Sequence, residues 1–102
     1  MEGIELILFE IITAVGEARS NYIEAINLAR EGKFNEAEKL VKEGQLSFVK
    51  GHKRHADLVQ KTAAGEKIEA DILLIHAEDQ LMSAEGFQIL AEQFIELYKK
   101  LL

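Results

Sequence analysis

Ile72-Leu73-Leu74-Ile75-His76-Ala77-Glu78-Asp79-Gln80-Leu81-Met82 opens a stretch, ILLIHAEDQLMSAEGFQILAEQFIELY at residues 72–98, whose apolar positions recur at steps of three and four twice over. One series runs Ile72, Ile75, Asp79, Met82, Gly86, Ile89. The other runs Leu74, Ala77, Leu81, Ala84, Gln88, Ala91, Ile95, Tyr98. At about 100° per residue, the two seams fall on nearly opposite sides of one helix. A helix in a lone three-helix bundle has one inner face, so the second seam needs another chain. Ile-rich core positions favour higher-order coils, and a single polar residue in a seam can set register and subunit number. Asp79 is that residue. A trimer about an axis near Asp79 is the preferred geometry, with tetramer and dimer as alternatives.

Outward from this stretch, two short breaks divide the remaining chain: Arg30-Glu31-Gly32-Lys33 and Ala63-Ala64-Gly65-Glu66-Lys67. Each places a glycine among polar residues after a helical pattern, as at a helix C-terminus. The expected helices cover about residues 4–30, 34–62 and 68–101. In the first, Ile4, Leu8, Ile11, Val15, Ala18, Tyr22, Ile26 and Ala29 form the inward stripe, widened by Ile7, Phe9, Ile12 and Ile23. In the second, Phe34, Ala37, Val41, Phe48, His55, Val59 and Thr62 mark a thinner seam. Gly44 and Gly51, one heptad apart, permit close helix approach or weaken the helix locally. With 102 residues, no Pro and only seven Gly, the chain reads as one all-α domain over 1–102, an antiparallel up-down-up bundle.

Composition excludes several function classes. The absence of Cys removes disulfides, thiolate nucleophiles and cysteine-ligated metals. The formal charge of −6, spread along the chain, argues against a nucleic-acid surface, which needs a basic stripe. The apolar run between Ile4 and Ile12 is broken by Glu5 and Glu10 and falls short of the roughly 20 residues that span a bilayer. Lacking a basic region before it, this run does not read as a signal peptide either.

Three histidines carry the chemistry worth weighing. His52 and His55 have the i, i+3 spacing of two metal ligands, but no third ligand stands near them, and a basic turn of helix two is the plainer reading. His76 lies between the two seams of helix three, on a strip with Gln80, Ser83, Phe87 and Phe94, facing a groove. Asp79, between Ile75 and Met82, would be desolvated in an assembled coil. Three such carboxylates on an axis must share protons, trap water or bind a cation, for which magnesium or another hard, oxygen-seeking ion is the natural candidate.

The segment Ile75-His76-Ala77-Glu78-Asp79-Gln80-Leu81-Met82 resembles the phosphorylation-site region of the lactose/cellobiose (chitobiose) family of sugar phosphotransferase system IIA components. Gly16-Glu17-Ala18-Arg19-Ser20 is similar to their second recurrent stretch, and residues 29–34 to their first turn. The likeness covers nearly the whole chain. It implies a cytoplasmic homotrimer with helix three near the threefold axis, phosphorylated on His76 by the phosphocarrier protein HPr. Discharge would be onto the cysteine of a IIB component, and through it would serve the membrane IIC component, during uptake of a lactose- or cellobiose-type disaccharide. It also implies a metal at Asp79. Gln80 departs from the pattern, which has a second histidine there, so a role for a second imidazole is not expected.

Imidazole suits a reversible carrier, because its ordinary pKa near 6.5 leaves a neutral nucleophilic nitrogen at neutral pH. With His76 about two turns inside the expected helix, backbone N–H groups are already bonded, so Gln80 and Ser83 become the expected phosphate contacts and Phe87 the group excluding water. Glu78 and Asp79 would oppose a phosphate unless a cation or a partner's Lys or Arg offsets them. The competing reading is a non-enzymatic oligomerisation or adaptor module. A metal-storage bundle would need inward Glu-x-x-His motifs, which are missing here.

Overall fold

The computed structural model describes residues 3–102; residues 1 and 2 of the expected 1–102 domain lie outside the described residues. Three helices follow in order: α1 (Ile4–Arg30), α2 (Phe34–Ala63) and α3 (Ile72–Leu101). They form an up-down-up rod of 52 × 20 × 19 Å in which α1 and α3 run parallel. The all-α three-helix expectation holds.

Both helix ends foreseen from glycine close in the same way. Gly32 and Gly65 take φ of +80° and +92°, a region where side chains carrying a Cβ are strained. The Gly32 and Lys33 N–H groups donate to the carbonyls of Ala29 and Leu28, and those of Gly65 and Glu66 to Thr62 and Lys61. Each set is a Schellman motif that satisfies the last carbonyls of its helix.

The start of α3 differs from the residue 68 that the sequence pattern predicts. The helix begins at Ile72 because Asp71, in extended backbone, caps it: its carboxylate accepts from the Leu74 N–H at 3.0 Å. Ile68 packs against the core from the connecting segment instead of extending the helix.

The seams of α3 part as anticipated. Ala77, Leu81, Ala84, Ala91 and Ile95 are buried within the chain. Along the opposite seam Ile72 is 80% exposed, Ile75 57%, Met82 71% and Ile89 58%, with Asp79 and Gly86 exposed between them. The chain thus leaves one apolar stripe of α3 without a partner of its own.

In α2 the inward stripe keeps Ala37 and Val41 of the expected seam, with Phe34 and Phe48 packed on the core, and departs from it toward the C-terminal end. Val59 and Thr62 are exposed, and the line of contact with α1 runs through Gly44, Ser47, Gly51 and Leu58. The glycines are the reason: a Cβ on Gly44 would lie 2.6 Å from Tyr22 Cε1, and one on Gly51 2.6 Å from Val15 Cγ1. Two missing methyl groups let α1 sink into α2, which rotates the small residues inward. Phe9 likewise turns outward instead of widening the stripe of α1.

Candidate functional site

His76 is the fifth residue of α3, one turn from its start and not two, because Asp71 begins the helix late. Helical side chains lean toward the N-terminus, so the imidazole projects toward that end. The cap carboxylate already occupies the Leu74 donor and balances part of the dipole there. In the single chain His76 is exposed. The groove would need a wall that one chain does not supply, since the neighbouring seam is the unpartnered one.

The strip running on from His76 is more enclosed: Gln80, Ser83 and Phe87 are half-buried, whereas Phe94 is exposed. Its cover comes from α1. Arg19 Nε donates to Ser83 Oγ at 3.0 Å, and its guanidinium carbon stands 4.9 Å from the Phe87 ring centroid. One turn further, the fully buried Tyr22 donates its hydroxyl to Gln88 Oε1 at 3.1 Å. Burial first, and Glu92 second, push the Tyr22 phenol up to about 12. Arg19 is the residue that reading along α3 did not single out, although it sits inside the Gly16–Ser20 stretch. The available signal was the complete absence of Lys and Arg between Ile72 and Tyr98, which leaves any anion on this strip dependent on another helix for charge.

The other two histidines are engaged elsewhere. His55 Nε2 lies 2.7 Å from Glu78 Oε1, tying α2 to α3 on the side away from His76. His52 stacks on Phe48 with ring centroids 6.1 Å apart. They do not converge, and among the described residues no three His, Asp or Glu side chains are placed to hold a metal. A cleft of about 720 Å³ between α2 and α3, lined in part by Leu58, Ile68, Leu74 and Glu78, also opens away from His76. Among the described residues His76 has no hydrogen-bond partner, so its ring nitrogens are free for chemistry.

The sequence and the fold have known relatives. Residues 6–99 match the family described as PTS system, Lactose/Cellobiose specific IIA subunit. The chain is 39% identical over 99 residues to the PTS system lactose-specific EIIA component of Staphylococcus epidermidis, covering 97% of this chain and 95% of that protein. It is 39% identical over 100 residues to the lichenan-specific phosphotransferase enzyme IIA component of Bacillus subtilis, covering 98% and 91% respectively. The crystal structure of the PTS cellobiose-specific enzyme IIA from Bacillus anthracis superposes with a TM-score of 0.92 at 40% identity, over 99% of this chain and 94% of that one.

Proposed function

The chain belongs to the lactose/cellobiose-specific IIA family of the sugar phosphotransferase system, and from that membership we propose that it is a transient phosphohistidine carrier with His76 as the acceptor. What supports the residue assignment is that His76 alone of the three histidines lies on the α3 strip that Arg19 covers from α1, with no hydrogen-bond partner among the described residues, whereas His55 is taken up by Glu78 and His52 lies exposed on α2, stacked on Phe48.

The donor is HPr and the recipient the cysteine of a IIB component, which serves a membrane IIC component. A neutral ring nitrogen of His76 attacks the donor's phosphorus. One N–P bond forms as the donor's N–P bond breaks, and the proton lost from one imidazole is matched by the one the other takes up. On discharge an S–P bond forms at the thiolate as the N–P bond to His76 breaks. Phosphoryl transfer of this kind passes through a loose, in-line transition state, so the protein contributes position and charge compensation more than covalent help. Gln80, one turn on, offers amide donors to the phosphoryl oxygens. Ser83 lies a turn further and is already held by Arg19, so its part in phosphate contact is indirect.

The open seam of α3 supports assembly about that helix as a homotrimer. Within one chain Asp79 is a single exposed carboxylate, so a metal site there requires copies. Three Asp79 side chains make an all-oxygen donor set, which fits magnesium or a similar hard divalent cation better than zinc. Such an ion would offset the converging carboxylates in the assembly. Among the described residues no helix is long and apolar enough to cross a membrane, and we place the carrier in the cytoplasm, where its donor is charged. The sugar handled is of the lactose or cellobiose type.

The test is incubation with phosphoenolpyruvate, enzyme I and HPr, followed by intact mass and site mapping. One phosphoryl group on His76, abolished by His76→Gln with the fold unchanged, is the expected result. An unlabelled chain refutes the carrier reading and favours an adaptor role, whereas label on His52 or His55 refutes the assignment to His76.

A further inference from the structure

A phosphoryl group on His76 brings close to two negative charges onto a helix that carries Glu78, Asp79, Glu85, Glu92 and Glu96 and no Lys or Arg before Lys99. Like charge at this density opposes phosphorylation unless a cation offsets it. Among the described residues, the one cation in contact with the histidine strip is Arg19, which reaches across from α1.

The state of Arg19 is unusual for a half-buried guanidinium. Arg54, the comparable case, is neutralised by Glu10 at 2.8 Å and Asp57 at 2.7 Å. Arg19 has no carboxylate partner among the described residues. It is held by two neutral groups, the Ser83 hydroxyl and the Phe87 face, which fix its place without consuming its charge. Only Nε is committed to Ser83, so the four N–H donors of the two Nη groups remain available. A partly desolvated charge left without a counterion attracts an anion.

The geometry assigns to Arg19 the fixed positive charge that makes His76 a usable phosphoryl acceptor, an inference that rests on the carrier reading above. Arg19 is a positioning residue and not a catalytic one, because it acts through space. Ser83 lies two turns from His76, about 10 Å along the axis. At that separation, with a protein-edge dielectric and physiological screening, a guanidinium favours a phosphoryl dianion by about fivefold in equilibrium. Ser83 and Phe87 serve the site by holding that charge at a constant height on α3, whichever partner is docked.

The experiment uses the full chain charged by the phosphoenolpyruvate relay. The ratio of phosphorylated to free protein at equilibrium with phospho-HPr is measured at low and high salt for wild type, Arg19→Gln and Arg19→Lys. The protonation midpoint of the phosphoryl group is followed by ³¹P NMR. Arg19→Gln keeps an N–H donor within reach of Ser83 but loses the charge. It should lower the ratio about fivefold at low salt and less at high salt, and it should raise the ³¹P midpoint, because a nearby cation favours the more ionised phosphoryl group. Arg19→Lys should recover most of both effects. A glutamine variant indistinguishable from wild type in ratio, salt response and midpoint overturns the assignment, as does a lysine variant no better than glutamine, which would point to a packing role. A wild-type chain that takes no label on His76 brings down the carrier reading and this inference together, whereas a labelled wild type with an indifferent Arg19→Gln sinks this inference alone.

Discussion

Replacing Ile89 by Asp tests whether the open stripe of α3 joins copies of the chain. Ile72, Ile75, Met82 and Ile89 together expose between two and three whole side chains' worth of apolar surface. Burying it is worth about 5 kcal/mol per chain, or about 15 kcal/mol gross for three, against association costs on the order of 4–15 kcal/mol. Ile89 accounts for about 1 kcal/mol of the gain in each chain, given that just over half of it is exposed. Three substitutions therefore remove about 3 kcal/mol, before counting the repulsion of three new carboxylates. The association constant should fall by at least roughly a hundredfold. The single chain should tolerate the change, because Ile89 faces outward and the added like-charge pairs with Glu85 and Glu92 cost only about 0.2–0.5 kcal/mol each. Sedimentation velocity at tens of micromolar protein is the assay, with circular dichroism to confirm that helicity is kept. Wild type should sediment as an oligomer and Ile89→Asp as the 11.5 kDa chain. A monomeric wild type, or a variant that sediments unchanged, would refute the reasoning.

Three further outcomes follow from local geometry. Gly44→Ala puts a methyl group 2.6 Å from the buried Tyr22 ring. Overpacking of about 1–3 kcal/mol should outweigh the helix-propensity gain of about 1 kcal/mol and lower the urea midpoint, while Gly16→Ala, with nothing within 4 Å of its new Cβ, should raise it. Asp71→Ala removes the cap of α3 at a cost of about 1 kcal/mol, and hydrogen exchange should quicken at the Leu74 amide and its neighbours in the first turn. The Tyr22 phenol, raised from 10.0 to about 12 in the fold, stays protonated while the unfolded chain ionises, so its contribution is whole below pH 10 and is lost as pH rises toward 12. Across that interval wild type should lose up to about 2–3 kcal/mol more stability than Tyr22→Phe, read from denaturation curves at each pH.

Much of the architecture was legible because α3 carries two apolar periods at once, and each period forces a face. The helix ends at Arg30 and Ala63 were legible because glycine is the residue that accepts positive φ there. The start of α3 was misplaced because Ile68 continues the apolar rhythm while lying outside the helix, yet Asp71 before an apolar run was a usable capping signal. In α2 the close approach at Gly44 and Gly51 was legible as one of two readings of those glycines, while the exposure of Val59 and Thr62 escaped because an apolar rhythm does not report how far the close approach turns the helix. At the site, spacing along α3 grouped His76, Gln80, Ser83 and Phe87 on one strip. It had no means of reporting a guanidinium arriving from α1, nor that His55 and Glu78 would meet across two helices. The groove expected around His76 has no counterpart within the single chain, where the ring is exposed.

Gly44 and Gly51 also bear on how the rod deforms. Tyr22 and Val15 sit in the two notches like wards in a lock, and sliding α1 along α2 would drive each into the neighbouring backbone or side chain. Axial slip between these two helices is blocked, and they deflect as one beam. Gly86 in α3 makes no such notch, having nothing within 4 Å of an added Cβ, so the height of α3 against α1 is set by polar latches instead, Arg19 on Ser83 and Tyr22 on Gln88.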